Sequence, residues 1–156
     1  MRRVVITGFG VAAPIGVGAD NFFTGLSTGI CAINTIENFP CQGLEIQIAA
    51  EIKNFMPQYG DRKIDYAMIA AAEAMKMAHE TSLRETLLHV GSSLELFNIT
   101  ELARQNICPE LPELLRANAS PNVRYPLDAA GKIIIKKFGS PLRFLNNVSA
   151  CAVGVR

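Results

Sequence analysis

The sequence predicts an α/β domain built in layers, on three observations. Short β-branched or apolar runs recur along the chain, a long segment with helical apolar spacing lies among them, and glycine or proline stands at most junctions. The 156 residues suit one domain, because folding at that length buries roughly 70% of the surface that the unfolded chain exposes. Hydrophobic residues make up 49% and charged residues 19%, a globular composition rather than a disordered one.

Val4-Val5-Ile6-Thr7 is a run without polar alternation, the pattern of a strand buried on both faces. Gly8, Gly10, Gly16 and Gly18 follow as a loop. Asp20 is then placed to cap a helix that carries Phe22, Phe23 and Leu26 and stops near Gly29. Residues 44–50 alternate, with Ile46, Ile48 and Ala50 on one side, as a half-exposed strand does; Pro57 and Gly60 mark the next turn. The strongest helical pattern spans 62–80. Ile64, Ala67, Met68, Ala71, Met75 and Ala78 share one face, with Asp65, Glu73, Lys76 and Glu80 opposite. Alanines at 67, 70, 71, 72, 74 and 78 leave so little bulk that a close packing partner is expected.

Leu87–Gly91 reads as the next strand, followed by a weaker amphipathic stretch over 96–107 and the breakers Pro109 and Pro112. The segment 113–126 mixes helical potential with turn residues. It contains Asn118-Ala119-Ser120, a glycosylation triplet that matters only in a secreted protein. Over 129–138 the consecutive Ile133, Ile134 and Ile135 favour a strand by propensity, whereas Gly139 marks a helix stop; the helix is preferred. Leu142–Val148 is a last strand, running directly into Ser149-Ala150-Cys151-Ala152.

Fifteen Lys and Arg against fourteen Asp and Glu give a net charge of +1 without a basic stripe, so nucleic-acid binding has no electrostatic footprint. No apolar stretch approaches the ~18 residues of a membrane span. The opening Met1-Arg2-Arg3 imitates a signal peptide only loosely, since Gly8, Gly10 and Pro14 interrupt the apolar run. Cys31, Cys41, Cys108 and Cys151 are widely spaced, with no C-x-x-C pair and no histidine cluster, so no metal site is expected. Reduced thiols in the cytoplasm are the expectation.

Two segments invite a chemical reading. Gly8-Phe9-Gly10-Val11-Ala12-Ala13 has the spacing of a dinucleotide-binding turn, whose amides would face a pyrophosphate. Pro14, Gly16 and Gly18 then hold the chain in a loop where that fold needs a helix, and the nearest acidic partner, Glu37, is flanked by Asn38 and followed by Pro40. A structural turn is preferred, and no cofactor is expected. Cys151 has a strand before it, small neighbours (Ser149, Ala150, Ala152, Gly154) that leave room for a substrate, and the start of a helix whose free amides favour a thiolate and an oxyanion. On spacing alone, the commoner reading of a free cysteine, a small buried hydrophobe, stands ahead of a nucleophile. Cys31, Cys41 and Cys108 lack such surroundings. His79 and His89 read as solvated or capping residues rather than general bases.

Together these residues resemble the amino-terminal half of the β-ketoacyl-acyl-carrier-protein synthases, the condensing enzymes of fatty acid and polyketide synthesis. Arg3-Val-Val-Ile-Thr-Gly-Phe-Gly10 with Pro14-Ile-Gly16 is similar to that family's opening strand and loop, and Leu26-Ser-Thr-Gly-Ile30 to the end of its first helix. Asp61-Arg62 leading into Ala70-Ala-Ala-Glu-Ala74 resembles its central helix. Phe138-Gly-Ser-Pro141 and then Asn147-Val-Ser-Ala-Cys-Ala152 resemble the approach to its nucleophile. The resemblance moves the nucleophile reading of Cys151 ahead of the structural one.

It also implies a thiolase-like layered αβαβα fold, of which residues 1–156 supply roughly the amino-terminal half, ending just after the nucleophile. The implied partners are an acyl carrier protein bearing acyl and malonyl thioesters, and a second subunit in a homodimer or heterodimer. The family's two histidines and lysine belong to the second half, so this chain alone is expected not to condense substrates. The alternative is a non-catalytic partner or scaffold that binds a full synthase. One departure is Gly91-Ser-Ser-Leu-Glu-Leu96, where the family commonly has a more glycine-rich turn.

Overall fold

A computed structural model describes residues 3–38, 41–59, 62–92 and 128–148. In chain order the elements are β1 (Ala12–Ala13), β2 (Gly16–Val17), α1 (Ala19–Ser27), β3 (Ile33–Thr35), β4 (Ile48–Ala50), α2 (Arg62–Met77), β5 (Leu87–Ser92), α3 (Ala129–Phe138) and β6 (Arg143–Val148). β1–β2 and β3–β4 are antiparallel pairs, whereas β5 and β6 pair in parallel from Leu87 opposite Arg143 to Ser92 opposite Val148. A parallel pair requires a crossover, and α3 belongs to it.

The core lies where α2 and α3 meet β5. Ile64 and Met68 of α2, Ala129 and Ile134 of α3 and Leu83 are buried, with Ala67, Ala71, Met75, Leu88 and Ile133 packed around them. These are the positions that helical spacing assigns to the inner face of α2. α3 is a helix in spite of its three isoleucines because that period fits its burial. Ile134 is buried, Lys132, Lys136 and Lys137 are exposed, and Gly139 ends the helix with φ 89°. Lys136 and Lys137 also complement the negative end of the helix dipole.

Helices α1 and α2 end in the same way. The amides of Gly29 and Ile30 donate to the carbonyls of Leu26 and Gly25, and those of His79 and Glu80 to Lys76 and Met75. This is the Schellman pattern, with Gly29 and His79 in the left-handed conformation at φ 70° and 57°. The helix expected over 62–80 therefore closes at Met77, and His79 caps it.

The opening segment departs from expectation. Val4–Thr7 is not a buried strand: no strand pairs with it among the described residues, and Val4, Val5 and Ile6 are 95%, 65% and 88% exposed. A strand needs a ladder to satisfy its amides, and the nearest packing partner is a helix instead. Gly8 and Gly10 lie on α2 so closely that a Cβ on Gly8 would stand 2.3 Å from the Ala74 carbonyl oxygen, and one on Gly10 2.0 Å from that of Ala70. The alanine-rich face of α2 thus takes backbone, not a sheet. Asp20 does not cap α1 either. Gly18 holds the N-cap position with φ 87°, and Asp20 lies in the first turn, where its charge still suits the dipole.

Two further corrections concern burial. The strand expected over 44–50 is shorter, β4 alone, and its partner β3 is too short to show a period of two. Asp65, assigned by spacing to the polar face of α2, is only 4% exposed. Its carboxylate accepts the amides of Gln58 (3.0 Å) and Tyr59 (3.3 Å), so the turn before α2 folds back over it. Asp65→Ala leaves both amides without that acceptor. It is expected to lower stability by about 1–2 kcal/mol in urea denaturation, and Asp65→Asn, which keeps one oxygen, by less.

The segments expected as helical over 96–107 and 113–126, the triplet Asn118–Ser120, Cys108 and Cys151 lie outside the described residues.

Candidate functional site

The glycine loop is the most organised polar feature among the described residues. After Gly10 the chain makes a hairpin, Ala12 opposite Val17 and Ala13 opposite Gly16, with Pro14 and Ile15 at its tip. The Gly18 amide closes it onto the Val11 carbonyl at 2.9 Å, and α1 starts at once. The carboxylate of Glu73, from the middle of α2, accepts the Val11 amide at 3.0 Å and the Ala19 amide at 2.6 Å. In this G-x-G-x-x-A loop the Val11 amide is thus taken by a side chain of the same protein. Its glycines serve close packing on α2, and the structural-turn reading is the one observed.

The hydrogen bond from the Ala19 amide, then that from Val11, hold the Glu73 carboxyl below its ordinary value, with Lys76 one turn away acting in the same direction. A second carboxylate, Glu51, sits beyond β4. Partial desolvation raises its pKa, but hydrogen bonds from the Glu37 amide and from the Asn38 side chain and amide outweigh this and leave it lowered. Glu37, the nearest acidic residue in a dinucleotide reading, instead pairs with Lys53 at 2.5 Å. A cleft of about 350 Å³ borders the hairpin, lined among others by Pro14, Val17, Ile30, Cys31 and Ile52.

Neither histidine joins these groups: His79 caps α2, and His89 lies exposed within β5. Cys31 is exposed and Cys41 is buried, its thiol 3.8 Å from the Ile36 carbonyl. No cluster of three metal-ligating side chains occurs among the described residues, and none of their helices is long and apolar enough to cross a membrane. Sequence reasoning placed Glu73 on the polar face of α2 and gave it no role, although it is one acid among Ala70, Ala71, Ala72 and Ala74.

At the other end of the fold, β6 is held along one edge by β5 and on one face by α3. Its ladder with β5 runs for six residues to Val148, and α3 packs on it so closely that a Cβ on Gly131 would lie 2.3 Å from the Phe144 ring. Cys151, the nucleophile expected from the sequence, follows three residues after that strand and lies outside the described residues.

Comparison with known proteins bears on the whole chain. Residues 1–108 match the family described as Beta-ketoacyl synthase, N-terminal domain. The putative polyketide beta-ketoacyl synthase 1 of Streptomyces halstedii is 37% identical over 102 residues, 60% of this chain and 24% of its own length. The 3-oxoacyl-[acyl-carrier-protein] synthase 2 of Staphylococcus aureus (strain COL) is 27% identical over 166 residues, covering 98% of this chain and 40% of that protein. Among solved structures, the ishigamide ketosynthase/chain length factor superposes with a TM-score of 0.70 at 25% identity, over 95% of this chain and 40% of its own. A ketosynthase solved with a type II PKS acyl-carrier protein, 22% identical, has the same fold at a TM-score of 0.67 over 97% of this chain and 39% of its own. The chain therefore spans two fifths or less of each of these proteins. Its α/β architecture is the thiolase-like one of the ketosynthases, and the chain belongs to the β-ketoacyl synthase family, through that family's N-terminal domain.

Proposed function

We propose that this chain carries the acyl-accepting part of a β-ketoacyl-acyl-carrier-protein synthase and that Cys151 is the acceptor. The observation that supports this most is the parallel ladder ending at Ser92 and Val148, which fixes the strand immediately before Ser149-Ala150-Cys151. A nucleophile gains from a rigid strand behind it and free amides ahead of it. The Cys151 thiolate adds to the carbonyl carbon of an acyl-carrier thioester, and the tetrahedral intermediate collapses with loss of the carrier thiol, leaving the acyl group as a thioester on Cys151. A malonyl-carrier then loses carbon dioxide, and its carbanion attacks that carbonyl and expels the cysteine thiolate. This second step draws on two histidines and a lysine that the resemblance assigns to the family's second half.

The partner in both steps is an acyl carrier protein, in the cytoplasm. The solved ketosynthase with a bound carrier protein supports that choice. A paired subunit, the same chain or a related one, would meet β6. The test is acylation of the full chain by an acyl-carrier thioester, with and without a carboxy-terminal ketosynthase half, read by mass spectrometry. An adduct on Cys151 is expected, and its absence even from the reconstituted protein would refute the role.

A second reading, a non-catalytic subunit that binds a full synthase, draws on a different observation. Leu87 at the start of β5, Leu142 just before β6, and Val4–Ile6 leave large apolar side chains exposed. Size-exclusion chromatography with a synthase subunit, joined to the acylation test, separates the two readings, since a scaffold binds equally well with Cys151→Ala and takes up no acyl group.

A further inference from the structure

α1 is a helix with little apolar anchorage: it packs on β2, buries only Gly25 among its nine residues, and leaves Phe23 and Leu26 exposed. Its link to α2 is polar and converges on one atom group. The Glu73 carboxylate receives the amide that opens the hairpin, Val11, and the amide that opens α1, Ala19, across 62 and 54 residues of chain. Gly18 bonds back to Val11 between them, so both ends of segment 11–19 are fixed by one side chain. We propose that Glu73 is an acid-released latch: when its carboxylate is neutralised, the hairpin and α1 (residues 11–27) open as one unit while the α2–α3 core stays folded.

The physical basis is the difference between a carboxylate and a carboxylic acid. The ionised group accepts on both oxygens, and its charge faces the positive end of α1. The protonated group loses that charge and carries a donor that competes with the two amides. Because the folded-state pKa is lowered, the stabilisation is complete above the ordinary value of 4.5 and is lost as the pH falls through the lower folded value.

Other charges around it are few. The hairpin from Gly8 to Ala19 has no titratable side chain, α1 contributes Asp20, α2 itself Lys76, and α3, on α2, Lys132, Lys136 and Lys137. Asp20 is the other carboxylate among these, and it is the group the test must separate from Glu73.

Hydrogen exchange of the full chain, followed by mass spectrometry, reads the latch directly, with the peptide over 129–138 as an internal reference. At neutral pH, Glu73→Ala is expected to speed exchange in the peptide over 19–27 by about tenfold or more, the scale of a lost charge-assisted hydrogen bond, with the reference unchanged. Glu73→Gln, which keeps one carbonyl acceptor, is expected to fall between. In the unaltered chain, opening of 19–27 relative to intrinsic exchange should rise as the pH drops below 4.5, and in Glu73→Gln it should stay flat. Equal acceleration of both peptides, no acceleration at 19–27, an unprotected reference in the unaltered chain, or acid opening that persists in Glu73→Gln through Asp20 would each overturn the latch.

Discussion

Changing Cys151 to alanine is expected to abolish the acyl adduct formed from an acyl-carrier thioester, while Cys31→Ser leaves it intact. Removing the sulfur removes the bond-forming atom, so the loss is total rather than graded. Cys31 is the necessary control because it is the exposed thiol among the described residues and borders the cleft beside the hairpin, where adventitious transfer from a thioester has access. Cys41 offers no such route, being buried with its sulfur against the Ile36 carbonyl. An adduct that survives in Cys151→Ala and disappears in Cys31→Ser would reassign the nucleophile to the cleft. Binding of the carrier protein without transfer, unchanged in both variants, would favour the scaffold reading.

How much of this was legible in the sequence depended on the range of the interaction that decides each element. The helices α2 and α3 and the strands β5 and β6 were read correctly because their evidence is local: a 3.6-residue apolar period, a glycine stop, or a short apolar run between breakers. The isoleucine triplet in α3 shows period overruling propensity, since only Ile134 of the three is buried. Errors arose where a distant group decides. Val4–Thr7 has the composition of a central strand, yet no described strand lies beside it, and pairing is not a local property. Asp65 looked solvated until the turn at Gln58 and Tyr59 folded over it.

The glycine fingerprint is the most instructive case, because the local pattern fitted a known phosphate-binding turn, and the acceptor of its Val11 amide is found only 62 residues away. The family resemblance reached further than any local rule. It identified the fold, and it is what raised Cys151 from a small buried hydrophobe to the proposed nucleophile.

Gly10→Ala should unseat the amino-terminal segment and lower stability by about 3 kcal/mol, the upper end of what overpacking a filled site costs. A Cβ at that position would meet the oxygen, carbonyl carbon and Cα of Ala70 at 2.0, 2.8 and 2.9 Å, all backbone atoms of a packed helix that cannot turn aside as a side chain can. For a chain of this size that loss corresponds to a fall of roughly 6–12 °C in Tm, measured by circular dichroism. Two comparisons isolate the cause. Phe9→Ser, between the two glycines, changes an exposed side chain and should shift stability by no more than about 0.5 kcal/mol. Ala70→Gly combined with Gly10→Ala should fail to restore stability, because deleting the Ala70 methyl leaves the obstructing backbone in place. Restoration would show that side chains, not main-chain contact, set the spacing. If instead Gly10 served a bound phosphate, Gly10→Ala would leave the unliganded chain near its original Tm, so the same melting curve separates a glycine kept for a helix from one kept for a ligand.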